Sequence, residues 1–192
     1  SDYGVELAAF FKEYSQKLPT NWLYFMGNPG TGKKETAKRL GKALNIPVVK
    51  ANFSGFSVKE LVGSALESGD PQPGKIVETF LAAGNDAASS NMIFLIEDFD
   101  KLSDEVRNFI LASNPQGFFS PFFNTNIEWP AIVILTGSDF IDQGSYPDLS
   151  LVNLQGFYDN HDGVKVSDSA PAQEQLPKRN YLQIFLPNQP PA

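Results

Sequence analysis

A glycine-rich segment that ends in lysine is the part of this sequence best suited to bind phosphate. Residues 27–33 read Gly-Asn-Pro-Gly-Thr-Gly-Lys, which matches the G-x-x-x-x-G-K pattern. Glycines let successive backbone N–H groups point at one anion, a following helix N-terminus adds partial positive charge, and the lysine supplies a full charge. The alternative is an ordinary glycine-rich turn. The pattern predicts phosphate or nucleotide contacts from most of this segment and from the next residue: Asn28, Pro29, Gly30, Thr31, Gly32, Lys33 and Lys34.

Position 34 departs from the usual pattern. The residue after the lysine is normally Ser or Thr, whose hydroxyl ligates Mg²⁺, but here it is Lys34. Thr36 lies further along the predicted helix and cannot simply replace that hydroxyl. Two alternatives follow. Either Lys34 points to solvent while carboxylates and water hold the metal, or its ammonium lies near the magnesium position and neutralises phosphate itself. The sequence does not distinguish them.

Two adjacent carboxylates form a second candidate site. The apolar run 92–96 is followed by Glu97 and Asp98, so a predicted buried strand delivers two acids at its carboxyl end. In phosphoryl-transfer sites the first acid holds magnesium and the second polarises the attacking water. The usual order is Asp then Glu, and a displacement on the order of 1 Å from the reversed order can lower turnover roughly a hundredfold. We therefore predict that binding is better preserved than hydrolysis, the alternative being a solvated acidic turn.

The elements that position these residues follow from the hydrophobic pattern. Short apolar runs predict strands at 22–26, 48–49, 92–96, 131–135 and 182–186. Apolar residues at helical spacing predict helices through 5–18, 37–44, 76–81 and 104–110, the last capped by Ser103. Alternating strands and helices predict an α/β fold, a parallel sheet with helices on both faces and ligands at the carboxyl ends of its strands. The glycine-rich segment and the acid pair both follow predicted strands.

Composition restricts the remaining classes of function. The chain of 192 residues has 42% hydrophobic residues and suits one domain, with a polar surface insertion at about 143–175. It has no cysteine and a single histidine, His161, so a metal would be held by oxygen ligands. A net charge of −7 argues against nucleic-acid binding. No apolar run approaches the roughly 20 residues that span a bilayer, so we expect a soluble, cytoplasmic protein without a membrane partner.

Three further segments resemble the ATPase domain of the Lon proteases, which belong to the AAA+ ATPases, over most of residues 1–142. Residues 2–5, Asp-Tyr-Gly-Val, are similar to the D-H-Y-G-L segment of that family, residues 73–76 to its P-G-K-I, and residues 93–102 to its F-L-L-D-E-I-D-K-L. The resemblance implies a P-loop NTPase fold, the AAA+ large subdomain, over the single domain 1–192. It also implies ATP or ADP with Mg²⁺ as cofactors, Tyr3 and Gly4 beside the adenine, and Glu97 and Asp98 as metal ligands and catalytic acids.

The resemblance implies two further catalytic residues. Asp139 falls where the family has its sensor asparagine, which helps to place the hydrolytic water, and Ser138 is the candidate under a one-residue shift. Arg179 resembles the arginine that such proteins insert into the neighbouring subunit's site, where an arginine finger adds several powers of ten in rate. The alternative for Arg179 is a surface arginine at a strand start. An arginine acting between subunits implies a homo-oligomeric ring in the parent protein.

Other positions depart from the family. Its pore-facing aromatic residue falls near Ser68 here, which puts the threading of a polypeptide in doubt. No helical lid follows Leu186, so we expect the lid domain to be absent from this chain. No Ser-Lys proteolytic domain is present in the sequence, so we do not expect a protease.

Two functions therefore stand side by side. One is an AAA+ module that binds ATP and hydrolyses it slowly or only when assembled, coupled to conformational work on a protein partner. The alternative is a degenerate nucleotide-binding or pseudo-ATPase interaction domain without turnover. A nucleic-acid motor has less support, because the four phenylalanines that would stack on bases suit buried packing or a partner contact better: Phe118, Phe119, Phe122 and Phe123.

Overall fold

The computed structural model describes residues 22–30, 32–83, 92–114 and 116–138, together with the backbone of three later strands at 150–153, 165–166 and 183–185. The predicted helix at 5–18 and the residues Tyr3, Gly4, Thr31, Asp139 and Arg179 lie outside this part of the chain. His161 and the segment after Phe185 lie outside it as well.

The described strands and helices follow the predicted alternation. The strands are β1 (Trp22–Met26), β2 (Val48–Ala51), β3 (Ile93–Ile96), β4 (Phe118–Ser120), β5 (Thr125–Ile127), β6 (Ile132–Gly137), β7 (Ser150–Asn153), β8 (Lys165–Val166) and β9 (Gln183–Phe185). The helices are α1 (Lys33–Leu44), α2 (Val58–Val62), α3 (Lys75–Ala82) and α4 (Asp104–Ala112). A single 3₁₀ turn, Phe99–Lys101, lies between β3 and α4.

One sheet holds most of these strands, in the order β2-β3-β6-β1-β7-β9-β8. All neighbours pair in parallel except β8, which is antiparallel to β9. Strands β4 and β5 form a separate antiparallel hairpin. Parallel neighbours require crossover connections, and α3 lies in the connection from β2 to β3 and α4 in that from β3 to β6. The prediction of an α/β fold built on a parallel sheet is confirmed.

Helices cover both faces of the sheet because successive strand residues point to opposite sides. In β1, Trp22, Tyr24 and Met26 belong to one buried cluster, whereas Leu23 and Phe25 belong to another. The first cluster includes the buried apolar residues of α3 and α4, and the second includes Ala37 and Leu40 of α1. The middle of the sheet is therefore dry on both sides, which leaves its carboxyl edge as the place for polar chemistry.

The segment 143–175, predicted to be a surface insertion, supplies two strands. Strand β7 pairs in parallel with β1 between Leu23↔Ser150 and Met26↔Asn153, and β8 pairs with β9. The sequence Ser-Leu-Val-Asn has only two apolar residues, so its pattern alone did not indicate a strand. The rest of the segment lies outside the described residues.

The phenylalanine-rich stretch forms the hairpin of β4 and β5. Phe118 is buried, while Phe119 and Phe123 are 56% and 41% exposed. Strand alternation explains the difference between the first two, because neighbouring side chains point to opposite faces. Leu81, the last residue of the apolar pattern that predicted α3, is 48% exposed. Among the described residues, none of the helices has the length and apolar character needed to span a bilayer.

Candidate functional site

The glycine-rich loop leaves the carboxyl end of β1, next to the ends of β6 and β3. The last pair of the β1–β6 ladder is Met26↔Gly137, and the Gly27 N–H then donates to the Gly137 carbonyl oxygen at 3.1 Å. Strand β3 ends at Ile96 on the other side of β6. The parallel ladder thus brings the loop and the acidic turn to one edge of the sheet, as the motifs predicted.

Two glycines shape the loop. Gly30 and Gly32 have φ angles of 88° and 85°, values that residues with a side chain rarely adopt. Gly32 is the N-cap of α1, so the helix begins at Lys33 and presents its unpaired first N–H groups to the loop. Asn28, Pro29 and Gly30 are exposed. This is the geometry of an anion site at a helix N-terminus.

Lys33 lies inside this loop. Its Nζ donates to the Gly27 carbonyl oxygen and to that of Asn28, the latter at 3.5 Å. Burial lowers the pKa of the Lys33 ammonium below its usual range, while the carboxylates of Asp100 and Asp98 act in the opposite direction. An anion bound in the loop would also favour the charged form. The ammonium is therefore held at the centre of the loop by backbone carbonyl oxygens.

The acidic turn is attached to the end of β6 by hydrogen bonds from backbone N–H groups to side-chain oxygens. Asp98 has a left-handed conformation, with φ 53°, and its N–H donates to Thr136 Oγ1 at 3.2 Å. Asp100 Oδ2 accepts from the Ser138 N–H at 2.9 Å. Thr136 is buried, whereas Asp98 is exposed and Glu97 partly exposed. These bonds set the direction in which the turn presents its carboxylates.

Thr136 and Asp100 were missed by sequence reasoning. Asp100 lies in the run Glu97-Asp-Phe-Asp, so its residue type was visible, but its partner is 38 positions away along the chain. Thr136 follows the apolar residues of β6, and only the β3–β6 pairing places it next to Asp98. Ser138, the alternative sensor position, contributes its backbone N–H to this contact.

Lys34 reaches across to the acidic turn. Its Nζ lies 3.3 Å from Glu97 Oε1, and the two side chains are 48% and 25% exposed. Thr36 cannot provide the missing hydroxyl, because the residue is buried and its Oγ1 donates to the Gly32 carbonyl oxygen at 2.7 Å. The usual magnesium arrangement therefore does not fit these residues: the hydroxyl ligand is replaced and an ammonium is paired with the first carboxylate.

The loop at 63–74 contains Ser68, the residue predicted to lie near the position of the family's pore-facing aromatic residue. Ser64 Oγ donates to the Asp70 carbonyl oxygen at 2.8 Å and accepts from the Gln72 N–H at 2.9 Å. Ser68 is exposed on this loop and lines an open cleft of about 500 Å³. None of the residues that line this cleft is aromatic.

Known proteins match the same stretch of chain. The sequence profile of the family described as "ATPase family associated with various cellular activities (AAA)" matches residues 23–138. The Lon protease of Helicobacter pylori (strain J99) is 24% identical over 179 residues, which cover 88% of this chain and 20% of that protein. The Lon protease of Aster yellows witches'-broom phytoplasma is 29% identical over 148 residues, 72% of this chain and 18% of that protein. The Lon protease of Metamycoplasma arthritidis is 31% identical over 120 residues, which cover 62% of this chain and 14% of that protein.

The matched region is the one that carries the site. Residues 23–138 run from β1 through the glycine-rich loop and the acidic turn to the end of β6. The chain spans at most 20% of the length of these three relatives. The similarity predicted from the motifs is confirmed, and the chain belongs to the AAA family of ATPases, with an ATPase domain similar to that of the Lon proteases.

Proposed function

We propose that the chain binds ATP and ADP in the glycine-rich loop and hydrolyses ATP slowly, as part of an assembled ring that acts on a protein partner. The observation that carries this proposal is the position of the Lys33 ammonium. The ammonium lies at the start of α1, within a loop that turns at Gly30 and Gly32. The carboxylates of Asp98 and Asp100 are close enough to act on its pKa, in the direction that favours the charged form. A loop that only turned the chain would not need a partly buried cation at its centre.

In this site the nucleotide phosphates would take the place of the Gly27 and Asn28 carbonyl oxygens as acceptors for Lys33. The exchange is favourable because a charge-assisted bond to phosphate is stronger than a bond to a neutral carbonyl. The N-terminal N–H groups of α1 would bind the same anion. Tyr3 and Gly4 remain the proposed adenine neighbours, and Thr31 the remaining loop contact.

Turnover would depend on Asp98. Asp98 is exposed at the edge of the sheet, and the bond from its N–H to Thr136 Oγ1 anchors its backbone there. Aspartate is one methylene shorter than the usual glutamate, so it would hold the attacking water less closely and hydrolysis would be slow. Arg179 from a neighbouring subunit would stabilise the charge that develops, with Asp139 placing the water, which makes the reaction dependent on assembly.

A second function is supported by the pair formed by Lys34 and Glu97. Because the first carboxylate is paired with an ammonium, the site resembles one adapted to hold nucleotide rather than to cleave it. In that case the chain would be a nucleotide-stabilised interaction domain. Phosphate release measured over a range of protein concentrations separates the two: release that rises with assembly and disappears in Asp98→Asn supports hydrolysis, and its absence supports the interaction domain.

Nucleotide binding itself is tested by thermal unfolding and calorimetry with ADP. At a concentration about 100 times the Kd, a ligand bound only by the folded state adds about 2.7 kcal/mol to the free energy of unfolding. We expect a rise in Tm for the chain and for Lys38→Ala, an exposed lysine on the same helix, and no rise for Lys33→Ala. An unchanged Tm in saturating ADP and ATP, with no heat of binding, would exclude the proposed site.

A further inference from the structure

The start of α1 and the end of β3 carry opposite charges in contact. Lys34 is the second residue of the helix that follows the loop, and Glu97 is the first residue after the strand. The 3.3 Å separation of Lys34 Nζ and Glu97 Oε1 links these two elements across the edge of the sheet. The sequence leaves two alternatives for Lys34, an ammonium in solvent or one near the magnesium position, and in the structure the half-exposed side chain pairs with Glu97.

The pair is placed where nucleotide phosphates would arrive. The preceding residue, Lys33, lies in the loop, so the two neighbouring ammonium groups would flank a bound phosphate chain. Lys34 is 48% exposed and has three N–H donors, so contact with Glu97 leaves donors for a phosphate oxygen. Its flexible four-carbon stem allows the shift of position that such bridging requires.

A cation at this point solves an electrostatic problem. A di- or triphosphate is strongly negative, and Glu97, Asp98 and Asp100 lie at the same edge of the sheet, so phosphate and carboxylates repel each other. A divalent metal removes that repulsion in phosphoryl-transfer sites, where a Ser or Thr hydroxyl helps to hold it. Among the described residues of the loop and α1, Thr36 has the only hydroxyl, and it is buried and bonded to Gly32.

We infer that the Lys34 ammonium occupies the place of the divalent cation, so that this chain binds ATP and ADP without Mg²⁺. The inference rests on the nucleotide site proposed above and specifies how that site is neutralised. Lys34 bridges Glu97 and the terminal phosphates, and Lys33 binds the phosphates from within the loop. The affinity for nucleotide is then independent of magnesium.

Calorimetry with ADP and with a non-hydrolysable ATP analogue tests this, in EDTA and in excess Mg²⁺. For the unaltered chain we expect the Kd in EDTA to equal that in Mg²⁺ within about threefold, or to be lower. Lys34→Thr restores the usual hydroxyl and removes the ammonium. Because a lost bond to a charged group costs about tenfold or more, its affinity in EDTA should fall by that factor and recover on adding Mg²⁺.

Lys38→Thr is the matched control. Lys38 lies on the same helix and is exposed. Its Nζ lies 3.5 Å from Glu35 Oε1, so it pairs with that residue and not with the acidic turn. The control changes charge and helix propensity as Lys34→Thr does, and we expect it to bind like the unaltered chain in both buffers. Circular dichroism spectra establish that the variants are folded. Should Lys34→Thr fail to fold, Lys34→Gln serves instead: it also removes the ammonium, so its affinity in EDTA should fall by the same factor.

Each outcome has one meaning. Binding by the unaltered chain that strengthens about tenfold or more on adding Mg²⁺ overturns the inference and leaves the nucleotide site standing. Magnesium dependence that is the same in Lys34→Thr as in the unaltered chain also overturns it. No binding in either buffer removes the proposed function, and the inference with it.

Discussion

Replacing Gly137 with alanine tests how tightly the acidic turn is held against β6. Gly137 ends that strand, and a Cβ added to it would overlap Tyr24 Oη and lie 2.9 Å from Asp100 Cγ. Tyr24 is completely buried in β1, so its hydroxyl cannot move aside into solvent. Alanine ordinarily stabilises a strand relative to glycine. Here we expect the opposite sign.

The size of the effect follows from three contributions. Forcing a methyl group into a packed site costs about 1–3 kcal/mol. Displacing Asp100 weakens its bond from the Ser138 N–H, which adds about 1 kcal/mol. The better strand propensity of alanine offsets about 0.5–1 kcal/mol. Gly137→Ala should therefore lower the free energy of unfolding by about 1–3.5 kcal/mol.

Urea unfolding followed by tryptophan fluorescence measures this loss. Gly69→Ala is the control, because an added Cβ there meets no atom within 4 Å. The double variant Tyr24→Phe/Gly137→Ala removes the overlapping hydroxyl. Its loss in free energy of unfolding should therefore be smaller, by about 1 kcal/mol, than the sum of the losses of the two single variants. A Gly137→Ala variant within about 0.5 kcal/mol of the unaltered chain, with no coupling to Tyr24, would refute this account of the packing.

Two further predictions concern the same edge of the sheet. Thr136→Val keeps the shape of the side chain but removes the acceptor for the Asp98 N–H, so the free energy of unfolding should fall by about 1 kcal/mol. The control Thr125→Val changes an exposed threonine and should cause no loss. Equal effects of the two substitutions would show that the bond contributes nothing. Burial lowers the pKa of Lys33 in the folded chain. At pH values between that lowered pKa and the usual lysine pKa, the unfolded chain therefore binds more protons than the folded chain. The free energy of unfolding should then rise with pH. Nucleotide affinity should fall across the same window, because phosphate requires the charged ammonium. Unfolding measured over this pH range, with Lys33→Met as the control, tests the effect on stability, and calorimetric titrations test the effect on nucleotide affinity. A stability difference between the unaltered chain and Lys33→Met that stays flat or changes in the opposite direction with pH would contradict the first prediction, and an affinity that does not fall would contradict the second.

The local pattern was enough to predict most elements. β1, α1 and β3 were predicted from runs of apolar residues and from helical spacing, and the structure has them. Ser103 was predicted to cap α4, and its Oγ accepts from the Val106 N–H at 3.3 Å. Such features depend on residues close together in sequence, which is why they can be predicted without tertiary structure.

Other features depended on distant partners. Strand β7 is short and polar at both ends, and its place beside β1 comes from hydrogen bonds along the ladder rather than from its own propensity. Phe118 and Phe119 are adjacent and chemically identical, yet one is buried and the other exposed. Only the packing of the hairpin decides which face of β4 meets the core.

For this protein, the sequence by itself determined the chemistry at the sheet edge: a phosphate loop after one apolar strand and two acids after another. Tertiary structure decided which of these groups touch. The β3–β6 register brought Thr136 and Ser138 to Asp98 and Asp100, 38 residues away in each case. The tertiary structure also places Lys34 Nζ 3.3 Å from Glu97 Oε1. Residue types fix charge and hydrogen-bonding capacity, but a contact between distant segments exists only after strand pairing has set their separation.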